Sequence, residues 1–133
     1  MAYPPNYRYT KEHEWIEAKN DSATVGITDY AQHELGDVVF VEVPKAGAKI
    51  TAGKTFGSVE SVKAVSEIFA PADAEVTEPN AALTNQPDLI NTDPHGAGWL
   101  IKVKLANPAD LNSLMDAAAY EAYIEAKQKE ASA

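Results

Sequence analysis

The sequence predicts a small, mainly β domain: a barrel or sandwich of short strands decorated by helices. Three observations carry that reading. Short β-branched runs bounded by turn residues recur from Trp15 to Leu105. A Pro-, Asn-, Asp- and Gly-rich connection at 79–98 separates the last of them. From Asn107 onward the apolar spacing changes to a helical one. The 133 residues fall within the roughly 100–200 of a single domain. With 45% hydrophobic and 23% charged residues, the chain can bury one modest core.

Residues 1–6, with two prolines and an Asn, read as a loose arm. Trp15 to Lys19 and Ala23 to Ile27 read as strands around a turn at Asn20-Asp21-Ser22. Thr28 can cap a helix through its side-chain oxygen, Asp29 favours its positive end, and Gly36 can close it in a left-handed conformation. Val38 to Val43, stopped by Pro44, reads as a mostly buried strand. Thr55 to Val62 and Val65 to Ala70 predict a tight hairpin turning at Lys63-Ala64, although neither residue is the Gly or Asn such a turn prefers. Pro71 ends the second arm, and Ala74 to Thr77 makes one more short strand. The 79–98 connection carries a helical turn at Pro87 to Asn91, and Trp99 to Leu105 alternates as a strand. Asn107-Pro108-Ala109-Asp110 starts a helix, and Leu111, Leu114, Met115, Ala118, Tyr120, Tyr123 and Ile124 continue it as one apolar stripe that docks on its own domain.

Composition excludes several kinds of chemistry. Eleven Lys plus Arg against 20 Asp plus Glu give a net charge of -9, so nucleic acid and anionic membranes would repel the chain. Zero cysteines exclude disulfides, thiolate nucleophiles and Cys-ligated metals. His13, His33 and His95 have no metal-ligand spacing and read as scattered surface or loop histidines. No serine elbow, phosphate-binding glycine pattern, targeting segment or membrane-length apolar run occurs, so the expected compartment is the cytoplasm of a bacterium; a processed organellar chain would look the same.

What remains is Lys63 at the hairpin tip. Most exposed lysines are solvated charges or guards of a sheet edge. Here Val62 and Val65 frame the turn and would stiffen it, and Glu60 and Glu67 lie near, so a modifying enzyme could read both shape and charge. A rigid tip that presents one long amine is what a covalent carrier needs, with the protein presenting and the cofactor reacting.

Val59-Glu60-Ser61-Val62-Lys63-Ala64 resembles the lipoyl-attachment motif of the glycine cleavage system H-protein family. Tyr9-Thr10 with His13-Glu14-Trp15 resembles that family's N-terminal signature, and VGITDYAQHELGDVVFVEVP at 25–44 its most distinctive stretch. SEIFAP at 66–71, NQPDLIN at 85–91 and DPHGAGWLIKV at 93–103 follow in the family's order. The resemblance covers roughly the whole chain. It implies a lipoyl/biotinyl-type flattened β-barrel of two antiparallel sheets with short helices and a C-terminal helical segment. One domain would span 1–133, with the lipoyl-type core at about 22–105 and the helical tail at about 107–130.

The resemblance further implies lipoate covalently attached to Lys63, with Glu60, Ser61, Val62 and Ala64 read by lipoylating enzymes. The protein would be a carrier and not an enzyme. It would shuttle an aminomethyl group and reducing equivalents between a pyridoxal-phosphate glycine decarboxylase, a tetrahydrofolate-dependent aminomethyltransferase and an FAD/NAD dihydrolipoyl dehydrogenase. In this family the loaded arm folds back on the protein, where a carboxylate would stabilise the cargo ammonium. Glu14 is the first candidate for that contact and Glu67 the second; Glu14 reads equally well as a solvated strand charge. Trp15 reads as core, and the acidic surface fits a monomer. Ala74 stands where the family usually has glycine, His95 where tyrosine is usual and Ala97 where an acidic residue is common; the last two are expected to alter partner contacts. The competing assignment is a lipoyl carrier or donor for another system, such as a 2-oxo acid dehydrogenase. Biotin carriers are disfavoured because Val62 and Ala64 replace their flanking methionines.

Overall fold

The computed structural model describes residues 3–132. Nine strands form two antiparallel sheets that face one another as a flattened, unclosed barrel. The larger sheet has the order β1 (Arg8–Tyr9), β2 (Glu14–Lys19), β3 (Ser22–Ile27), β9 (Ile101–Leu105), β8 (Ala74–Pro79) and β5 (Lys49–Ile50). The smaller has the order β4 (Val38–Glu42), β6 (Thr55–Ser61) and β7 (Val65–Phe69). Period-2 patterning fixes which face of the larger sheet is inward: Ile101, Val103 and Leu105 are buried, whereas Lys102 and Lys104 are exposed. Ile16, Val25 and Val76 pack beside them, and Ile27, Val59, Ile68 and Leu100 fill the space toward the smaller sheet.

The predicted β2–β3 hairpin and the helix after it are present. The left-handed turn residue is Asn20, at φ 60°. Helix α1 (Asp29–Leu35) starts where the Thr28 hydroxyl accepts the Ala31 N–H at 3.2 Å. It ends at Gly36, whose φ of 79° would strain any residue with a Cβ. The long connection folds into two single-turn helices, α2 (Ala82–Asn85) and α3 (Leu89–Thr92).

Four sequence expectations are corrected. The tail is not one helix. A 3-10 helix (Pro108–Ser113) capped by Asn107 comes first, then Met115 exchanges backbone hydrogen bonds with Tyr9, and only then does α4 (Ala117–Ser132) begin. The bridge to β1 wins because Tyr9 is an otherwise unpaired edge. The arm is not loose at residue 3, since Tyr3 is buried edge-on against Tyr9 and Tyr120; residues 1 and 2 lie outside the described residues. Strand β4 is not mostly buried: Val38 turns in, but Val39 and Phe40 are 47% and 56% exposed. A register shift between Val38 and Phe40 against β6 rotates them outward. Finally, the hairpin turns one residue earlier than its apolar frame implied, as described next.

Candidate functional site: the Lys63 hairpin and its cleft

Strands β6 and β7 pair Glu60 with Val65, and the Ser61 N–H donates to the Ala64 carbonyl at 2.8 Å. The two turn residues are therefore Val62 and Lys63. Their φ values are negative, so the turn is of the unprimed kind and needs no glycine. Val62 and Val65 are 70% and 64% exposed and cannot stiffen the tip by packing. Buried Ser61 does so instead. Its hydroxyl accepts the N–H groups of Lys63 at 3.3 Å and Ala64 at 3.1 Å. A serine that bonds the backbone two and three residues on is a local turn-former. The Val62 N–H is pinned from outside by the Asp37 carbonyl at 3.0 Å.

Lys63 is exposed, and its stem lies over Gly36: a Cβ built on that glycine would sit 3.6 Å from Lys63 Cε. The Gly36-Asp37 link under the tip is in turn braced by Asn91. The Asn91 side chain donates to the Gly36 carbonyl at 2.9 Å and to Gln32 Oε1 at 3.0 Å, and accepts the Val38 N–H at 2.8 Å. Sequence reasoning placed Lys63 and missed this underlay of Gly36, Asp37, Gln32 and Asn91. Its one visible signal was that Asn91 and Gly36 fall inside the stretches that resemble the H-protein family.

A cleft of about 320 Å³ opens between α1, β7 and α4. Its floor is apolar, from Ile27, Leu35 and Ile68, and its rim carries His13, Ser66 and Lys127. Leu35 of the floor immediately precedes Gly36, over which the Lys63 stem lies. His13, at φ 72°, sits with Nδ1 2.8 Å from the Tyr120 hydroxyl, which lies 2.7 Å from Thr28 Oγ1. Burial holds the His13 imidazole below its usual pKa.

Glu14 lies behind this cleft. It is 1% exposed, so the solvated-charge reading is wrong. Its Oε1 accepts the Thr10 hydroxyl, and its Oε2 accepts the Phe69 N–H at 3.4 Å, next to Ile68 of the floor. Burial outweighs these hydrogen bonds and pushes the carboxyl up to about 7. The structure does not bring Glu67 to Glu14. Glu67 is exposed, near Thr55 Oγ1 at 3.4 Å, and lines a separate hollow with Glu42 and Ser58. Exposed Glu60 sits beside the tip, in register with Val65.

The three departures fall away from the tip. Ala74 is buried in β8, paired with Ile50 and Leu105. Exposed Ala97 sits in the turn that Asn80 and Asp93 hold together. His95 is half-buried: its Nε2 accepts the Asp29 N–H at 3.1 Å and its ring packs with Tyr3, Tyr7 and Trp15. Trp15 is core, 1% exposed, with Nε1–H donating to the Pro94 carbonyl at 2.9 Å.

Residues 7–127 match the model of the family described as glycine cleavage H-protein. The chain belongs to that family. It is 60% identical over 125 residues to the glycine cleavage system H protein of Acidobacterium capsulatum, covering 94% of this chain and 96% of the relative. The H protein of Bacteroides fragilis is 53% identical, covering 95% of this chain and the relative's full 100%. Among solved structures, a glycine cleavage system H protein from Mycobacterium marinum superposes with a TM-score of 0.83 at 40% identity, over 90% of this chain and 97% of that one. Family membership makes this chain a lipoyl carrier of the glycine cleavage system. Among the described residues no helix is long and apolar enough to cross a membrane.

Proposed function

We propose that Lys63 is the residue that carries lipoate, in amide linkage, and that the hairpin tip and the cleft between α1, β7 and α4 form the working site of the carrier. One observation supports this above the rest. Lys63 is an exposed lysine on a turn whose backbone is hydrogen-bonded from within by Ser61 and from beneath by Asp37. Bound lipoate supplies the reversible dithiol–disulfide chemistry that a chain without cysteine lacks.

The residues present fit such a group. Ser61 fixes the backbone from which the Lys63 stem leaves the turn, and that stem runs over Gly36. Ile27, Leu35 and Ile68 offer an apolar floor that excludes water from whatever lies in the cleft. Glu14 is the candidate carboxylate for a cationic cargo, on the grounds of its buried carboxyl; it lies behind the cleft floor and not in the cleft lining, where the carboxylate is Glu34. Buried and raised to about 7, Glu14 is half protonated near neutrality, and a cation beside it would draw it to its charged form. Glu60, Ser61, Val62 and Ala64 frame the lysine for the lipoylating enzyme.

In this reading the chain contributes no catalytic group. It serves a pyridoxal-phosphate glycine decarboxylase, a tetrahydrofolate-dependent aminomethyltransferase and an FAD/NAD dihydrolipoyl dehydrogenase in turn, as a cytoplasmic monomer. Amide formation cancels one positive charge, so the working protein bears one more net negative charge than the -9 of the bare chain. Lys63→Arg tests the assignment. The variant keeps its thermal midpoint, because the side chain is exposed, yet supports no glycine decarboxylation or exchange in the reconstituted system. Retained activity would reject Lys63 as the carrier residue.

A further inference from the structure

Three side chains tie the cleft to both of its helical walls in one hydrogen-bonded line. His13 Nδ1 lies 2.8 Å from the Tyr120 hydroxyl, which lies 2.7 Å from the Thr28 hydroxyl. Thr28 and Tyr120 are fully buried, so each hydroxyl hydrogen needs an acceptor inside the protein. Thr28 Oγ1 already accepts the Ala31 N–H, and the Tyr120 oxygen is its remaining partner. The Thr28 hydroxyl therefore donates to Tyr120, and the Tyr120 hydroxyl donates to His13 Nδ1. The opposite direction would leave the Thr28 hydrogen without an acceptor among the described residues. The network thus assigns neutral His13 a proton on Nε2. Burial, which holds the imidazole below its usual pKa, favours that neutral form. His13 lines the cleft, and its Nε2–H has no hydrogen-bond partner among the described residues.

We propose that His13 is a positioning residue of the carrier, whose Nε2–H donates to a sulfur of the reduced arm and favours that sulfur as the thiolate. The inference rests on Lys63 carrying lipoate and on this cleft receiving the arm. The direction of the hydrogen-bonded line selects the partner. A donor without an acceptor calls for a lone pair or an anion, which excludes an ammonium. A thiol that loses its proton leaves such an anion, and a hydrogen bond to the charged form favours it. The rest of the lining agrees. Lys127 adds a positive charge and Ser66 a hydroxyl, while Glu34, the carboxylate of the lining, is paired with the Tyr30 hydroxyl. Span agrees as well. The His13 ring packs on Tyr30 with centroids 4.7 Å apart. Tyr30 stands about 9 Å along the helix from Gly36, over which the Lys63 stem lies. The lysine alone ends near Gly36, whereas an octanoyl-length chain on its Nζ covers that distance. Tyr120 belongs to α4 and Thr28 caps α1, so both walls of the cleft set the direction of this donor.

Two measurements test the proposal, and the first needs no lipoate and no variant. Nitrogen-15 NMR of the imidazoles in the unmodified chain at neutral pH is expected to show His13 as the Nε2–H tautomer. The Nδ1–H tautomer would overturn the proposal. The second uses the lipoylated chain with its arm reduced by a phosphine. Thiolate absorbance, taken as the difference between reduced and oxidised protein, is followed against pH. His13→Asn keeps an acceptor near Tyr120 and suits the left-handed backbone at φ 72°, but places no donor at the Nε2 position. It is expected to lower the acid dissociation constant of the more acidic thiol at least about threefold. His13→Gln restores an N–H at that reach and should recover most of the loss. Glutamine gives Tyr120 no acceptor at the Nδ1 position, so a role confined to the hydrogen-bonded line would not be rescued by it. Equal losses in both variants would overturn the donor role. Equal constants in the parent and His13→Asn would overturn the contact while leaving Lys63 as the carrier residue. An unsubstituted chain that gains no lipoyl mass on Lys63 would remove this inference and the proposed function together.

Discussion

In the larger sheet, β9 buries Ile101, Val103 and Leu105 and turns Lys102 and Lys104 to water, whereas in the smaller sheet β4 leaves Val39 and Phe40 in water. Both strands are rich in β-branched residues, and both are antiparallel to their neighbours. The difference is what lies over each face. The larger sheet packs its apolar row against the core. The smaller sheet packs one face on Ile27, Leu35 and Leu100 and leaves the other, with Lys63 at its end, open to solvent. The same residue types are therefore buried in the core in one sheet and exposed to water in the other.

Substitutions can break this contrast or sharpen it. The largest loss of stability belongs to the aromatic cluster behind the larger sheet. Trp15→Ala removes a 1%-exposed side chain and its hydrogen bond to Pro94, and should cost about 3–5 kcal/mol in denaturant unfolding. A cost under about 1 kcal/mol would mean that the cluster is not core.

Glu14 comes next, as a carboxyl held within the buried region. Its folded-state pKa of about 7 lies above the unfolded value, so the native state holds the extra proton. Its contribution to stability is therefore present at low pH and lost as pH rises from about 4.5 through about 7, by up to ~3 kcal/mol. His13 and His95, held low by burial, act in the opposite sense as pH falls. Comparison with Glu14→Gln isolates the carboxyl: the variant's stability should rise relative to the parent across that window. Parallel pH profiles would show that Glu14 ionises without penalty.

A matched pair probes the two sheets directly. Val103→Thr places a hydroxyl at a 1%-exposed position and should cost about 1–3 kcal/mol. Val39→Thr, on the open face, should stay within about 0.5 kcal/mol. Equal costs would erase the distinction between the sheets. The most local effect is expected at Ser61→Ala. Losing the hydroxyl that holds the Lys63 and Ala64 N–H groups should cost about 1 kcal/mol and speed amide exchange at those two residues. Unchanged exchange would mean that the backbone bonds from Ser61 to Ala64 and from Val62 to Asp37 hold the tip without the hydroxyl.

Much of this was legible in the sequence because local chemistry and tertiary structure agree there. Thr28 and Gly36 bound α1, Pro71 follows β7, and Lys63 stands at a turn, each for a reason carried by the residue itself. The illegible parts depend on neighbours far along the chain. The apolar run from Val38 gave no sign that one of its faces is uncovered, because composition does not reveal a missing layer. The burial of Glu14 requires Phe69, 55 residues away, to supply its hydrogen bond. The break at Met115 is made by Tyr9, and the apolar stripe on both sides of it was blind to that bridge. At the tip, Val62 and Val65 looked like the stiffening element, yet buried Ser61 does that work through hydrogen bonds that no hydrophobic pattern records.

The central claim is that the exposed end of the smaller sheet exists to present a modified Lys63. Intact-mass analysis with peptide mapping, on protein purified from its own host, tests it most directly. The account predicts a single lipoyl increment located on Lys63; no increment, or one on any other lysine, would contradict it.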